Sequence, residues 1–282
     1  MPVAAPEHSR MKNERPLELS TRKAFDAAAP VYDREYEHLP GVVRLRSIIS
    51  NVYLQYFSPG QSLLELNCGT GTDALLLAHR GMTVLATDVS PNMIAEVKRK
   101  TAELNFETSV TAQVLSYLDL DSLGSRRFDG AYSNMGGINC TDDLPVVAKH
   151  LASLIRPGGY FIATVMPGFC LWETAAFLAR FQFRNAFRRQ RAGGVTANFH
   201  GGKVQTFFHS PRKFENAFSP YFEREDMMGL NMLTPQPNST NAYASMPRVI
   251  KMLEKIDDLI ARLPFFSSIG DHYLIVVRRT AV

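Results

Sequence analysis

Cysteine and tryptophan are scarce in this chain, which has 282 residues with three cysteines and one tryptophan. The cysteines, Cys68, Cys140 and Cys170, are an odd and widely spaced set without a CxxC pair, which argues against a disulfide scaffold and against a structural zinc site. We therefore expect no metal. No stretch approaches the roughly 18 apolar residues that span a bilayer, and the first residues lack an apolar signal-peptide core. By elimination we expect a cytoplasmic protein.

Apolar residues and arginine are plentiful. The hydrophobic fraction of 45% excludes a disordered chain. The net charge of +4 is too small by itself to indicate a nucleic-acid partner. The basic residues are 22 Arg and 9 Lys, and the arginine fork binds carboxylates and phosphates better than lysine does.

Strands and helices alternate from residue 61 onward. The apolar runs that predict strands are 62–66, 83–88, 109–117, 128–134 and 160–166. Helical patterns lie between them at 73–81, 90–104 and 143–155. Two more helices are predicted before this region, one capped by Ser20 and Thr21 and one near 41–57. This order predicts an α/β fold, with a parallel sheet covered by helices on both faces.

The alternation stops after Met166. The pattern predicts one long helix over 172–191, a hairpin within 193–209 that turns at 200–202, a helix at 211–218 and a closing strand at 272–279. We therefore predict a flexible lead-in at 1–19 and one α/β domain formed by 20–166 with 211–282. Residues 167–210 would be an inserted cap over the ligand cleft.

The segment from Glu65 to Gly71 joins the first strand of the alternation to a helix, and two cofactors fit it. Gly69-x-Gly71-x-x-Ala74, followed by Asp88 at the end of the next strand, satisfies a loose dinucleotide fingerprint and would indicate NAD. Glu65, however, would repel a pyrophosphate. It suits a cationic ligand such as S-adenosylmethionine, which carries an amino group and a sulfonium.

Four segments in order, ELNCGTGTD, TDVSPNMI, FDGAYSN and LIRPGGYFIATV, resemble the class I S-adenosylmethionine-dependent methyltransferases of the small-molecule type. The resemblance covers about residues 20–166 and the closing strand. It implies a Rossmann-like sheet of seven strands, mostly parallel with an antiparallel last strand, and S-adenosyl-L-methionine as cofactor.

The resemblance also implies roles for individual residues. Glu65, Gly69 and Gly71 would lie against the methionine part of the cofactor. Asp88 would hold both ribose hydroxyls, and Met93 would touch the adenine.

This chain departs from the family pattern at two positions. Asn67 stands where the family usually has glycine, and asparagine tolerates a left-handed backbone better than other non-glycine residues. Ser116 stands near a family aspartate that contacts the adenine amine, so Ser116 or a backbone group would take that role. Asn134 ends the fourth strand and would face the reactive end of the cofactor, although it is also an ordinary turn residue.

The acceptor side is less specified. Tyr32 lies in FDAAAPVYD, which resembles a helix that closes over the cofactor, and His209 is a weak candidate for a general base. The aromatic residues of the cap predict a small, largely apolar or aromatic acceptor, methylated on O, C or N by SN2 transfer. The row Arg180, Arg184 and Arg188, with Arg189 and Arg191 beside it, is either a solvated basic face or a site for an anionic group or a membrane surface.

Two rival functions stay open, and a nucleic-acid substrate is disfavoured because SNMGG follows the fourth strand instead of a base-flipping motif. One rival is an NAD-dependent oxidoreductase that uses the GxGxxA turn. The other is a non-catalytic partner protein with a methyltransferase fold. The oligomeric state cannot be predicted from these patterns.

Overall fold

Seven strands form one sheet in the computed structural model, which describes residues 15–281. They are β1 (Ser62–Leu66), β2 (Thr83–Asp88), β3 (Val110–Val114), β4 (Phe128–Ser133), β5 (Ile155–Val165), β8 (Phe222–Leu230) and β9 (His272–Arg279). Two further strands, β6 (Val195–Phe199) and β7 (Gly202–Thr206), form a separate hairpin. The order across the sheet is β3-β2-β1-β4-β5-β9-β8. The first five strands pair in parallel, and β9 is antiparallel to both β5 and β8. This confirms the predicted α/β sheet with its antiparallel last strand.

Ten α-helices lie along residues 15–281. They are α1 (Pro16–Ala28), α2 (Pro40–Tyr56), α3 (Thr72–His79), α4 (Pro91–Glu103), α5 (Leu144–Leu154), α6 (Leu171–Leu178), α7 (Phe183–Ala186), α8 (Pro211–Phe218), α9 (Thr240–Ser245) and α10 (Pro247–Ile260). No helix within the described part of the chain is both long and apolar enough to cross a membrane.

The core lies on both faces of the sheet because successive side chains of a strand point in opposite directions. Leu64 and Phe161 pack on one face, beneath α5 and α8. Leu63 and Ile162 pack on the other, beneath α2 and α3. All four side chains are fully buried, and burial on both faces is why the strands read as nearly continuous apolar runs.

The first helix begins earlier than predicted. Pro16 occupies the first turn of α1, where its missing N–H costs nothing. Ser20 therefore lies inside the helix instead of capping it, and its Oγ donates to the Lys203 carbonyl at 2.6 Å. Of the predicted lead-in at 1–19, residues 1–14 lie outside the described residues and residues 16–19 are helical.

The predicted long helix over 172–191 is wrong. α6 ends at Leu178, Phe181 adopts a left-handed backbone with φ of 57°, and α7 folds back toward α6. The reversal brings the Arg188 and Arg189 side chains onto the buried Glu173 carboxylate. In a straight helix over 172–191 these arginines would lie too far from Glu173 to pair with it. The arginines therefore do not form a row along one helix face.

The predicted hairpin is present as β6–β7. Its turn has positive φ at His200 (45°) and Gly201 (78°), as the twist of a tight hairpin favours. A Cβ at Gly202 would lie 2.7 Å from the Cα of Ala24, so glycine allows β7 to approach α1 closely. Phe199 and Phe25 also pack, with ring centroids 5.1 Å apart. The hairpin therefore supports α1 from outside.

Candidate active site

The turn between β1 and α3 has three residues in the left-handed region: Asn67 (φ 50°), Gly69 (φ 53°) and Gly71 (φ 81°). The expected left-handed conformation of Asn67 is thus present. The Asn67 side chain accepts from Ser133 Oγ at 2.6 Å and donates to the Asn134 carbonyl at 3.1 Å, which links the ends of β1 and β4.

The two glycines of this turn differ in their surroundings. A Cβ at Gly71 would lie 2.9 Å from a methyl carbon of Val97, so Gly71 allows the turn to pack against α4. A Cβ at Gly69 would meet nothing within 4 Å. The backbone at Gly69 therefore opens onto free space, where a ligand can approach it closely.

Asp88, the last residue of β2, lies across from this turn. Its Oδ2 accepts from the Gly69 amide at 3.0 Å and its Oδ1 accepts from the Ser90 amide at 2.9 Å. Burial raises the pKa of Asp88 to about 6, although these two amides act in the opposite direction. The carboxylate is thus held rigidly, and each oxygen keeps a lone pair for a ligand hydroxyl.

Glu65 is a buried carboxyl with an unsatisfied atom. Its Oε2 makes no hydrogen bond of standard geometry among residues 15–281. Burial, together with the negative charge of Asp73, raises the pKa of Glu65 well above its usual value, although the nearby Tyr132 hydroxyl favours the charged form and acts in the opposite direction. Glu65 lines a small cavity of about 310 Å³ together with Asn67, Gly69 and Asn134. Such an orphaned carboxyl is costly unless a cationic donor pairs with it.

A larger cavity of about 760 Å³ adjoins this one and lies beneath α1. The predicted site residues that line it are Tyr32, Asn67, Gly69, Asp88, Met93, Ser116 and Asn134. Glu65 is in the wall of the adjoining smaller cavity, and Gly71 shapes the turn without lining either one. Residues spread over about 100 positions of the chain thus meet at the carboxyl edge of the parallel strands, where α/β sheets bind ligands.

Asn134 is held by bonds to its neighbours. Its amide nitrogen donates to Asp73, and its Oδ1 accepts from Thr164 Oγ1 at 3.0 Å. Asp73 in turn pairs with Arg46 at 2.9 Å, and Arg46 pairs with Glu37 at 2.7 Å. The sequence analysis missed this charged chain. The one local signal was an acid, Asp73, in the first turn of the helix that follows the glycine turn.

A third cavity, of about 710 Å³, shares Tyr32 and Met135 with the large one. His272 and Asp271 lie in its wall, and His272 Nδ1 is 3.0 Å from Asp271 Oδ2. Burial would raise the pKa of Asp271, but His272 and Arg189 outweigh it and hold that pKa below its usual value. The sequence analysis missed His272. Because β9 is antiparallel, its first residues lie at the edge where β4 and β5 end, and that position was the available signal.

His209 and several aromatic residues of 167–210 lie away from these cavities. His209 is fully buried, its Nε2 lies 2.8 Å from the Thr141 carbonyl, and burial lowers its pKa to about 4. Of the cap aromatics, Phe181, Phe183 and Phe187 are 82%, 61% and 48% exposed, so they do not line the expected apolar pocket. Cys140 lines the large cavity, but burial raises its pKa to about 12, which keeps the thiol protonated.

Comparison with known proteins agrees with this geometry. Residues 63–159 match the family model described as a methyltransferase domain. A demethylmenaquinone methyltransferase from Symbiobacterium thermophilum is 27% identical over 145 residues, which are 50% of this chain and 57% of that protein. The chain spans about half the length of the curated relatives it matches.

Solved structures share the fold. One is the geranyl diphosphate C-methyltransferase from Streptomyces coelicolor A3(2), crystallised with Mg²⁺, geranyl diphosphate and S-adenosyl-L-homocysteine. Its TM-score is 0.55 at 16% identity, over 85% of this chain and 80% of that one. Another is the [4+2]-cyclase SpnF, with a TM-score of 0.62 at 14% identity over 95% and 98% of the two chains. Since a cyclase shares the fold, the fold alone does not define the reaction.

The matched family model covers β1 to the first part of β5, including the glycine turn, and the same sheet continues beyond the match through β9 and β8. Residues 63–159 are therefore a methyltransferase domain by their match to the family model, and the described chain has the fold of the solved methyltransferase structures.

Proposed function

We propose that this protein transfers a methyl group from S-adenosylmethionine to a small-molecule acceptor. The observation that carries the proposal is the pair of buried carboxyls around one glycine turn: Asp88, fixed by two backbone amides, and Glu65, with an unsatisfied oxygen. When bound, S-adenosylmethionine supplies a methyl group on a positively charged sulfur, ready for in-line displacement.

The roles of the residues follow from their chemistry. Asp88 accepts hydrogen bonds from the two ribose hydroxyls. Glu65 pairs with the ammonium group of the methionine part, which favours the charged form of Glu65. Gly69 lets the backbone approach the ligand, and Met93 with Leu115 provides apolar walls for the base. Catalysis then consists mainly of alignment and exclusion of water.

The same residues disfavour NAD as the cofactor. A pyrophosphate on the glycine turn would lie near the buried Glu65 and Asp88 carboxyls. Arg46 in the wall of the smaller cavity is already paired with Glu37 and Asp73, and no lysine or arginine among residues 15–281 lines the large cavity to offset the repulsion. A cationic ligand avoids this cost. The charge of the site is therefore the feature that separates the two cofactors.

Titration calorimetry with S-adenosylhomocysteine and with NADH tests the cofactor assignment. We expect binding of S-adenosylhomocysteine alone, whereas binding of NADH alone would overturn the proposal and binding of neither would favour a non-catalytic partner protein. Asp88→Ala should weaken S-adenosylhomocysteine binding by about 1.5–3 kcal/mol, the scale for a lost hydrogen bond to a charged group. Asp121→Ala, at an exposed aspartate, is the matched control and should leave the affinity unchanged.

The third cavity adjoins the large one and is where we place the methyl acceptor, and its wall supports a more specific proposal. Its wall contains Tyr32, Tyr36, Arg46, Gln236 and His272, so it is more polar than the apolar pocket expected from the cap aromatics. Polar groups on several sides suit an acceptor that carries a hydroxyl group. We therefore favour O-methylation of a small hydroxylated molecule over methylation on carbon.

His272 is the best-placed base for this reaction. Asp271 Oδ2 lies 3.0 Å from its Nδ1 without an aligned hydrogen bond, so Asp271 would stabilise the protonated imidazole by its charge, and Arg189 fixes Asp271 at 2.6 Å. His272 takes the hydroxyl proton at Nε2 as the oxygen bonds to the methyl carbon and the sulfur–carbon bond breaks, with its electron pair left on sulfur.

A metabolite screen with a labelled methyl donor identifies the acceptor. For the acceptor so found, His272→Gln should lower kcat by about 10²-fold or more at neutral pH while leaving S-adenosylhomocysteine affinity unchanged. The loss should shrink at high pH if the acceptor is a phenol, because hydroxide in solution then ionises it. A wild-type rate in His272→Gln would remove the residue from the chemistry.

A further inference from the structure

The hydroxyl of Ser116 is already committed in this structure. Its Oγ donates its one proton to Glu18 Oε1 and accepts from the Leu118 amide at 3.1 Å. Ser116 therefore has no proton left to donate to a ligand and only one lone pair left to accept with, although it stands at the position where the family pattern led us to expect the contact with the adenine amine. The group that Ser116 holds, the Glu18 carboxylate, lines the same cavity.

Glu18 belongs to α1, outside the segment that matches the methyltransferase family model. Arg15 NH1 contacts Glu18 Oε2 at 3.0 Å, and Arg15 NH2 contacts Asp119 at 3.2 Å, which fixes this end of α1 to the loop after β3. At the other end of the helix, Asp26 accepts from Ser90 Oγ at 2.6 Å. The carboxylate is thus held over the cavity by contacts at both ends of its helix.

The large cavity has a polar end and an apolar middle. Asp88 marks where the ribose would lie, and Val89, Met93 and Leu115 provide apolar walls beyond it. Glu18 is the one other carboxylate in the lining of this cavity among residues 15–281. A flat base held between those walls would turn its edge toward Ser116 and Glu18.

We infer that Glu18 reads the base of the cofactor by accepting a hydrogen bond from the exocyclic amine of adenine. This inference rests on the proposed function and goes beyond it, because it assigns the recognition of the purine to the N-terminal helix. A carboxylate only accepts, so it matches an amine and repels a 6-oxo group. Ser116 and Arg15 are positioning residues that orient Glu18.

The test compares two ligands on the same protein: S-adenosylhomocysteine and its 6-oxo analogue, S-inosylhomocysteine. Wild-type protein should bind the adenine compound at least about tenfold more tightly, because the analogue places an oxygen against the carboxylate. In Glu18→Gln the amide can donate as well as accept, so the ratio of the two Kd values should fall to within about threefold. Glu107→Gln, at an exposed glutamate, should keep the wild-type ratio.

The ratio separates direct recognition from indirect damage. A variant that is partly unfolded weakens both ligands together and leaves their ratio unchanged. A wild-type ratio in Glu18→Gln, or a wild-type protein that does not discriminate between the ligands, overturns the assignment of Glu18 while S-adenosylhomocysteine binding still supports the proposed function. Failure of wild-type protein to bind either ligand contradicts the proposed function itself, and the inference with it.

Discussion

Arg189 connects the segment 167–210 to the core of the sheet, and its replacement by alanine should destabilise the protein strongly. Its guanidinium binds Glu173 Oε2 at 2.9 Å, Asp271 Oδ1 at 2.6 Å and the Asp271 carbonyl at 3.0 Å. The side chains of all three residues are only 5–6% exposed. Arg189→Ala would therefore leave two buried carboxylates without their shared cation.

The size of the effect follows from what remains after the substitution. Removing one partner of a buried ion pair costs about 3–5 kcal/mol. Glu173 would keep Arg188 at 2.6 Å, and both carboxylates would keep Gln236 at 3.1 Å. We therefore expect the lower end, about 3 kcal/mol, which is a large part of the 5–15 kcal/mol that stabilises a typical domain.

Urea denaturation at pH 7, followed by circular dichroism, measures this loss directly. Arg188→Ala is the matched control, because Arg188 binds the same Glu173 but is 35% exposed, and it should cost no more than about 1 kcal/mol. A loss below about 1 kcal/mol for Arg189→Ala, or equal losses for the two variants, would show that the buried network does not hold residues 167–210 against the sheet as we argue.

Three further predictions concern the turn and two titrating groups. Gly71→Ala should lower the free energy of unfolding by about 1–3 kcal/mol more than Gly60→Ala. Both glycines have positive φ, but only a Cβ at Gly71 would meet Val97, at 2.9 Å. Urea denaturation of the two variants measures the difference, and equal losses would contradict the prediction. S-adenosylhomocysteine affinity should fall by up to about tenfold per pH unit below pH about 6, because protonated Asp88 no longer offers both oxygens as acceptors. Calorimetry across pH should find this fall reduced in Asp88→Asn, where Glu65 still titrates at the ligand. In the unfolded chain His209 takes up a proton below pH about 6.5, whereas in the folded protein its pKa is about 4. Its contribution to stability is therefore lost as pH falls from about 6.5 toward about 4. The free energy of unfolding, measured by urea denaturation, should depend less on pH over this range in His209→Gln than in the wild type.

The local pattern of apolar residues was sufficient to predict much of the fold, because apolar runs mark the buried strands directly. The apolar runs of β1, β2 and β4 and the Gly69-x-Gly71 turn could be located from residue order alone. The left-handed backbone of Asn67 could also be expected, since few other residues adopt it at low cost. The helix over 172–191 could not be corrected in the same way, because what breaks it is a distant carboxylate network and not a local signal.

The residues of the candidate site also differ in whether the local sequence predicts them. The sequence by itself located the residues at the ends of β1 and β2, such as Glu65 and Asp88, because each apolar run shows where its strand ends. Tertiary structure alone decided which side chains from remote segments join them. Glu18 reaches Ser116 across 98 positions, and His272 faces the cavity only because the antiparallel β9 begins at the edge where the parallel strands end. Such contacts depend on how helices and strands pack, and no short window of sequence contains that information.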